Sequence, residues 1–285
     1  MRQRKSQGAR GAPWRLPRVG RALGAAAVLL AGPGCERTKD TGRTTMAFEG
    51  PRGDALHTLR SDGRLRARAN KAPRAEPGPK GLNPLGLGGK RDGLLYVPED
   101  YTPDTQAMLV VMLHGAGGNA RQSLGMLQDV AETEGFLLLA PESRGPSWDL
   151  IMGDYGQDVA FLDQVLEHVF ERYSVDPERV VLAGFSDGAS YALSLGIING
   201  DVFKHIVAFS PGFAAPRDSH GSPRLFISHG DKDGVLPVAR CSRRIVPQME
   251  AAGMDVRYHE FKGGHVVPPE VVGEAIDWLH GGGGR

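Results

Sequence analysis

The segment Gly184–Gly188, with the sequence Gly-Phe-Ser-Asp-Gly, has the residue types of a nucleophilic serine held on a tight turn. The apolar run Val180–Ala183 precedes it and a helical pattern begins at Ala189, so the turn joins a strand to a helix. Such a turn strains its central residue and presents the side chain at a helix N-terminus, where the helix dipole favours a developing negative charge. Ser186 is therefore the candidate nucleophile, and a plain glycine-rich turn with a capping serine is the alternative.

A serine hydroxyl is a poor nucleophile at neutral pH, so it needs a base, and the base needs a group that orients it. His265 follows an apolar run that ends at Phe261 and is the candidate base. Two acids, Asp231 and Asp233, follow the apolar run Leu225–Ser228, and either one satisfies the position of the orienting acid. The order serine, acid, histidine is one in which such triads occur.

Attack on a carbonyl places negative charge on its oxygen, and backbone amides aimed at that oxygen stabilise the charge. One donor is the amide of Asp187, the residue after the serine. The second is expected from the glycine-rich segment His114–Asn119, which follows a predicted strand. Ala116 is the preferred donor and Gly117 the next, because the surrounding glycines let this backbone approach a substrate.

The segment Ser143–Asp149 follows another predicted strand and supplies candidates for a substrate pocket. Trp148 either lines an acyl or aromatic site or packs on its rim, and Arg144 can meet an acidic group. His114 is a further pocket candidate. His114 and His229 each precede a glycine at a strand end, which also suits residues that hold loops by hydrogen bonds.

Short apolar runs alternate with longer amphipathic stretches from residue 93 onward. This pattern predicts a mostly parallel sheet with helices on both faces, an α/β class in which reactive groups gather at the carboxyl ends of the strands. No insertion is long enough for a separate lid domain. The predicted strands are Leu94–Val97, Met108–Leu113, Phe136–Ala140, Val180–Ala183, Ile206–Phe209, Leu225–Ser228 and Val256–Phe261, and the predicted helices are Arg121–Glu134, Gln157–Tyr173, Ala189–Ile198, Val238–Ala252 and Glu270–Leu279.

Three regions divide the chain. Residues 1–37 carry a basic start and the apolar run Ala22–Ala31, which is too short to span a bilayer but fits a secretory signal. Acylation of Cys35 would anchor an exported protein to a membrane, whereas translation from Met46 would leave it in the cytoplasm. Residues 38–90 are rich in Gly, Pro and basic side chains and are expected to form a disordered or loosely packed linker. Residues 91–285 form the main domain.

Composition excludes several classes of protein. Lys and Arg total 34 against 33 for Asp and Glu, so the net charge of +1 provides no general attraction to nucleic acid. The two cysteines, Cys35 and Cys241, form neither a disulfide framework nor a metal-binding spacing.

Together, these residues resemble the phospholipase/carboxylesterase branch of the α/β-hydrolases, which includes acyl-protein thioesterases. They also resemble the feruloyl esterase and polyhydroxybutyrate depolymerase-like group. The resemblance extends over residues 93–279 and rests on the segments Leu113–Asn119, Gly184–Ala189, His229–Pro237 and Gly263–His265.

The resemblance implies an α/β-hydrolase fold without a lid, metal or organic cofactor, acting on a small-molecule ester or thioester through an acyl-enzyme. The family pattern His-Gly-x-x-Asp-x-x-Val/Leu-Pro favours Asp233 as the orienting acid and leaves Asp231 as a turn residue. Asp187 departs from the family, which often has Gln or Ala there. A serine peptidase on the same fold and a noncatalytic binding protein are the alternatives.

Overall fold

The computed structural model describes residues 61–69, 73–87 and 89–281. The expectations for the basic start, Cys35 and Met46 lie outside these residues. Within the described ranges, no helix combines the length and the apolar character needed to cross a membrane.

The core element is an eight-stranded sheet in the order β1-β2-β4-β3-β5-β6-β7-β8. Strand β2 runs antiparallel to β1 and β4, and the remaining neighbours are parallel, as the apolar strand pattern predicts. The strands are β1 (Gly81–Pro84), β2 (Gly93–Val97), β3 (Ala107–Leu113), β4 (Leu137–Pro141), β5 (Val175–Phe185), β6 (His205–Phe209), β7 (Arg224–Gly230) and β8 (Val256–Phe261).

Helices cover both faces of this sheet. They are α1 (Ala120–Glu134), α2 (Asp149–Met152), α3 (Gln157–Arg172), α4 (Asp187–Ile198), α5 (Ser242–Ala251) and α6 (Pro269–Leu279). Alternate residues of β3 point to opposite faces, as strand geometry requires. Leu109 and Val111 pack in the core with α3, α4 and α5, whereas Met108 and Val110 pack with α1 and α6. Both faces are therefore buried, and polar groups collect at the strand ends.

The segment 61–69 packs on the domain, which differs from the loose linker expected for residues 38–90. Leu65 is only 2% exposed, and its backbone N–H donates to Oδ1 of the buried Asn199 at 2.9 Å. The amide nitrogen of Asn199 donates to Gly63 O at 2.7 Å, and Arg64 forms a two-point ion pair with Asp201. A single large apolar residue, Leu65, cannot form a periodic pattern. Its partner Asn199 is more than a hundred positions away in sequence, so no local pattern reveals this packing.

Leu65→Ala should lower the free energy of unfolding by about 2–4 kcal/mol, because truncating a buried leucine loses apolar contact and leaves a cavity. Leu82→Ala is the matched control, since Leu82 in β1 is 38% exposed, and its cost should stay below about 1 kcal/mol. Urea unfolding of both variants gives the two values. Equal costs would show that segment 61–69 contributes no specific packing.

Candidate active site

Ser186 lies on the sharp turn between β5 and α4 with a φ of 57°, a left-handed conformation that is strained for a residue with a Cβ. Its backbone N–H donates to Phe209 O at 2.9 Å, which fixes the turn against β6. A Cβ on Gly188 would lie 2.3 Å from Leu113 O, and one on Gly184 would lie 2.2 Å from Gly188 O. The two glycines are therefore required by the close approach of backbone on both sides of the serine.

The serine, the histidine and one of the two acids meet above the carboxyl ends of the strands. The hydroxyl of Ser186 donates to Nε2 of His265 at 2.9 Å. Nδ1–H of His265 donates to Oδ2 of Asp233 at 2.6 Å. Asp233 follows β7 and His265 follows β8, so adjacent parallel strands place the two side chains at the same edge of the sheet.

Asp233 is held as a carboxylate by the groups around it. Its side chain is 0% exposed, and its Oδ1 accepts the backbone N–H groups of Leu236 at 2.7 Å and Val235 at 2.9 Å. Burial alone would raise the pKa of this carboxyl, but the bonds from Leu236, His265 and Val235 outweigh burial and hold the pKa below its ordinary value. A charged acid facing Nδ1–H keeps Nε2 of His265 available to accept a proton.

Asp231 has a different role from Asp233. It is exposed, and its Oδ1 accepts the backbone N–H of Gly263 at 3.0 Å. The bond ties the loop after β7 to the loop that carries His265. Asp231 thus joins two loops, and the structure shows no hydrogen bond between it and the imidazole of His265 among the described residues.

His229 is a buried support behind Asp233. Its Nε2–H donates to Leu236 O at 2.7 Å and lies 3.3 Å from Oδ2 of Asp233, while the hydroxyl of Ser242 donates to Nδ1 at 2.7 Å. Because a carbonyl oxygen only accepts, these contacts select the neutral Nε2–H tautomer. Burial lowers the pKa of His229 in the same direction. His229 thus holds the acid's loop, as expected, without competing with His265 for the charge of Asp233.

Among the described residues, the backbone N–H groups of Ala116 and Asp187 have no protein acceptor. The loop after β3 approaches Ser186 closely, since a Cβ on Gly115 would lie 3.3 Å from the Cβ of Ser186. Gly117 is a correction to the sequence expectation. Its N–H donates to Pro146 O at 2.7 Å, so this amide is already used and does not serve as an oxyanion donor.

Trp148 and His114 are also corrections, because neither lines a pocket. Trp148 is 0% exposed, stacks on Tyr191 with ring centroids 5.1 Å apart, and donates its indole N–H to His114 O at 2.8 Å. His114 is buried, donates from Nδ1 to Gly115 O at 2.7 Å and accepts at Nε2 from the backbone N–H of Ser143 at 3.0 Å. Burial lowers the pKa of His114, so it is a neutral residue that holds the loop.

Arg144 borders a cleft, but its guanidinium is engaged by its own surroundings. The group lies over the ring of Phe161, 3.5 Å from the ring centroid, and Nη2 donates to Glu142 O at 2.8 Å. These contacts therefore do not favour binding of an acidic substrate by Arg144.

Two neighbouring acids below this cleft, the buried Asp158 and the half-buried Asp149, are not predicted as a pair from the sequence. Asp158 accepts backbone N–H groups from Arg144 at 2.5 Å and Asp149 at 2.7 Å, and Asp149 accepts the hydroxyl of Tyr191 at 2.9 Å. Burial raises the pKa of Asp158 to about 6, and the neighbouring Asp149 adds to this effect. Asp158 looks like a helix-start residue in the sequence, so nothing local marks it as buried.

Replacing Asp158 by asparagine should change how the free energy of unfolding varies with pH. A carboxyl whose pKa is raised in the folded state stabilises the fold fully below its unfolded pKa, and that contribution is lost as the pH rises through about 6. Between pH 4 and pH 7.5 the free energy of unfolding of the wild type should thus fall by about 2–3 kcal/mol relative to that of Asp158→Asn. Urea unfolding at both pH values measures this difference, with the exposed Asp104→Asn as control. Parallel profiles for all three proteins would contradict the raised pKa.

The mostly parallel sheet, the serine on the turn after β5 and the hydrogen-bonded order Ser186, Asp233, His265 define an α/β-hydrolase. Comparison with known proteins agrees, and the chain belongs to the α/β-hydrolase superfamily. Within that superfamily, a family model for Phospholipase/Carboxylesterase matches residues 155–281, a stretch that includes the serine, the acid and the histidine.

Curated relatives include a probable feruloyl esterase C from Aspergillus clavatus, 28% identical over 162 residues that cover 52% of this chain and 56% of the relative. Feruloyl esterase B from Thermothelomyces thermophilus is 30% identical over 125 residues, covering 41% of this chain and 42% of the relative. The chain spans about half the length of the curated relatives it matches.

Solved structures match the fold more broadly. Esterase PE8 is 25% identical with a TM-score of 0.56, covering 68% of this chain and 99% of that one. The fluorophosphonate-binding serine hydrolase FphF of Staphylococcus aureus has a TM-score of 0.57 at 15% identity, covering 71% of this chain and 99% of that one. The predicted fold class is thereby confirmed.

Proposed function

We propose that this protein is a serine esterase that cleaves a carboxylic ester or thioester through an acyl-enzyme. The observation that carries the proposal is the chain of two hydrogen bonds, 2.9 Å from Ser186 Oγ to His265 Nε2 and 2.6 Å from His265 Nδ1 to Asp233 Oδ2. Hydrogen-bond reach between nucleophile, base and orienting acid is the geometric requirement of this chemistry. The curated relatives named above are feruloyl esterases, which supports an ester as substrate.

In the first half of the reaction, Nε2 of His265 takes the hydroxyl proton as Ser186 Oγ bonds to the carbonyl carbon. The carbonyl oxygen becomes negative and receives the two amide N–H groups of Ala116 and Asp187, which have no protein acceptor. Collapse of the tetrahedral species breaks the bond to the alcohol or thiol, which leaves with the proton held by His265. Asp233 stabilises the imidazolium during this step.

In the second half, water enters where the alcohol left and gives a proton to Nε2 of His265. Its oxygen bonds to the acyl carbon, the same amides bind the oxyanion, and Ser186 recovers its proton as the acid product leaves. The imidazole thus acts as base and then as acid in each half.

A fluorophosphonate probe tests this proposal directly. It should modify the wild-type protein once, and peptide mapping should locate the adduct on Ser186. Comparison of 4-nitrophenyl acyl esters with aminoacyl 4-nitroanilides then separates an esterase from a peptidase on the same fold. An absence of labelling would favour a noncatalytic binding protein, and faster anilide cleavage would favour a peptidase.

We also propose that the protein is exported, with Cys35 as a site of lipid attachment. The support is the basic start followed by the apolar run Ala22–Ala31 in the sequence. Mass spectrometry of the mature N-terminus tests this proposal. An N-terminus at Met46 would support a cytoplasmic protein instead.

A further inference from the structure

The carbonyl of Ser186 and the N–H of Asp187 belong to one peptide unit, and helix α4 anchors the carbonyl end of that unit. Ser186 O accepts the backbone N–H groups of Ala189 and Ser190, each at 3.0 Å. Because a trans peptide directs its N–H opposite to its C=O, the N–H of Asp187 is directed out of the helix N-terminus. This is one of the two amides that the proposed mechanism assigns to the oxyanion.

The side chain of Asp187 places an acid beside that amide. Carboxylates accept N–H groups strongly at the start of a helix, so this one would compete with the oxyanion for the two amides. Its negative charge would also oppose the charge that develops on the carbonyl oxygen of the substrate. An acid at this position therefore impairs the proposed reaction unless another group holds its carboxylate elsewhere.

Ser147, in the loop after β4, supplies that group. Its hydroxyl donates to Oδ2 of Asp187 at 2.6 Å, and hydroxyl–carboxylate bonds of about 2.5–2.7 Å are strong. Ser147 is only 6% exposed, so water competes little for this bond. Among the described residues, the bond from Ser147 is the one hydrogen bond that the carboxylate of Asp187 makes.

The loop that carries Ser147 is itself fixed on both sides of this residue. Pro146 O accepts the N–H of Gly117 at 2.7 Å, and the indole N–H of the buried Trp148 donates to His114 O at 2.8 Å. Both neighbours of Ser147 thus bond to the segment after β3, which supplies the second proposed oxyanion amide. The hydroxyl of Ser147 is therefore held in place relative to both amides.

We propose that Ser147 is a positioning residue that acts through Asp187, because its hydroxyl holds the carboxylate off the two oxyanion amides. The inference rests on the proposed esterase function and adds to it a residue outside the triad and the oxyanion hole. Among the described residues, Ser147 forms no hydrogen bond with a member of the triad, so its effect passes through Asp187.

The test measures hydrolysis of 4-nitrophenyl acetate by Ser147→Ala. Ser147→Cys is a second variant, because a thiol fills similar space but is a weak donor. Both variants should lower kcat and kcat/KM by about tenfold or more, a part of the roughly 10²- to 10³-fold cost of losing one oxyanion donor. Because both half-reactions form an oxyanion, KM should change by less than about threefold.

Ser143→Ala is the matched control, since Ser143 is buried in the same loop and its hydroxyl donates to Gly145 O at 2.8 Å. Its rate should remain close to that of the wild type. All rates are divided by the fraction of protein that a fluorophosphonate probe labels at completion, which separates slower chemistry from a loss of folded protein.

Removing the charge of residue 187 should rescue the variant. Ser147→Ala combined with Asp187→Asn should recover most of the lost kcat, because a neutral amide does not repel the oxyanion. Asp187→Asn alone gives the reference rate for this double variant. Ser147→Ala combined with Asp231→Asn also removes one charge, from an exposed acid in the loop after β7, and should recover nothing.

A bond that only stabilised the loop would give no recovery in either double variant. A Ser147→Ala rate equal to that of the wild type, or a loss that Asp187→Asn does not recover, would overturn the role of Ser147. Ester hydrolysis that survives Ser186→Ala would instead overturn the esterase proposal, so the two failures are distinguishable.

Discussion

Ser186→Ala is expected to lower kcat for ester hydrolysis by about 10⁴- to 10⁶-fold, because the variant has no hydroxyl to form the acyl-enzyme. The fold should be unaffected, since within the part of the chain that the structure describes the side chain of Ser186 bonds to His265 alone, and alanine keeps the same backbone turn. Rates with 4-nitrophenyl acetate, together with thermal melting curves, provide the measurement.

Ser222→Ala is the control for this experiment, because Ser222 is an exposed serine in the loop before β7. Its rate should equal that of the wild type. A Ser186→Ala protein that retained more than about a tenth of the wild-type rate would refute the nucleophile assignment.

Asp233→Asn should lower kcat by about 10⁴-fold, because an amide presents a donor to Nδ1 and favours the wrong imidazole tautomer. Asp231→Asn should cost less than about tenfold, since an asparagine oxygen still accepts the N–H of Gly263. The two substitutions remove the same charge two positions apart. Equal losses would show that net negative charge in the loop matters, not the contact with His265.

Much of the fold follows from local sequence patterns. Runs of apolar residues such as Met108–Leu113 are buried on both faces and so predict parallel strands, and amphipathic stretches such as Arg121–Glu134 predict the covering helices. The positions that bring Ser186, Asp233 and His265 together follow in turn, because each comes just after a strand of one sheet. Strand β1 was not predicted, since Gly81–Pro84 is short and edge-placed and has little apolar content.

What could not be predicted depends on contacts between distant segments. The sequence favours Ala116 over its neighbour Gly117 without excluding Gly117, and only the structure shows that the carbonyl of Pro146 occupies the Gly117 amide. The sequence offers Trp148 as a pocket residue, but in the structure it stacks on the ring of Tyr191 and is buried in the core. The α5 helix begins at Ser242 and not at Val238, because residues 238–241 form a turn. The hydroxyl of Ser242 donates to Nδ1 of His229.

The order in which the chain is synthesised determines when segment 61–69 can dock. Arg64 leaves the ribosome early, but its partner Asp201 is 137 residues further along the chain. The backbone N–H groups of Arg66 and Ala67 bond to Asp163 in α3, whereas Arg64 and Leu65 bond to groups that follow α4. During synthesis the segment can therefore dock in two stages, first on α3 and then on residues 199–201, while strands β6, β7 and β8 are still to be made.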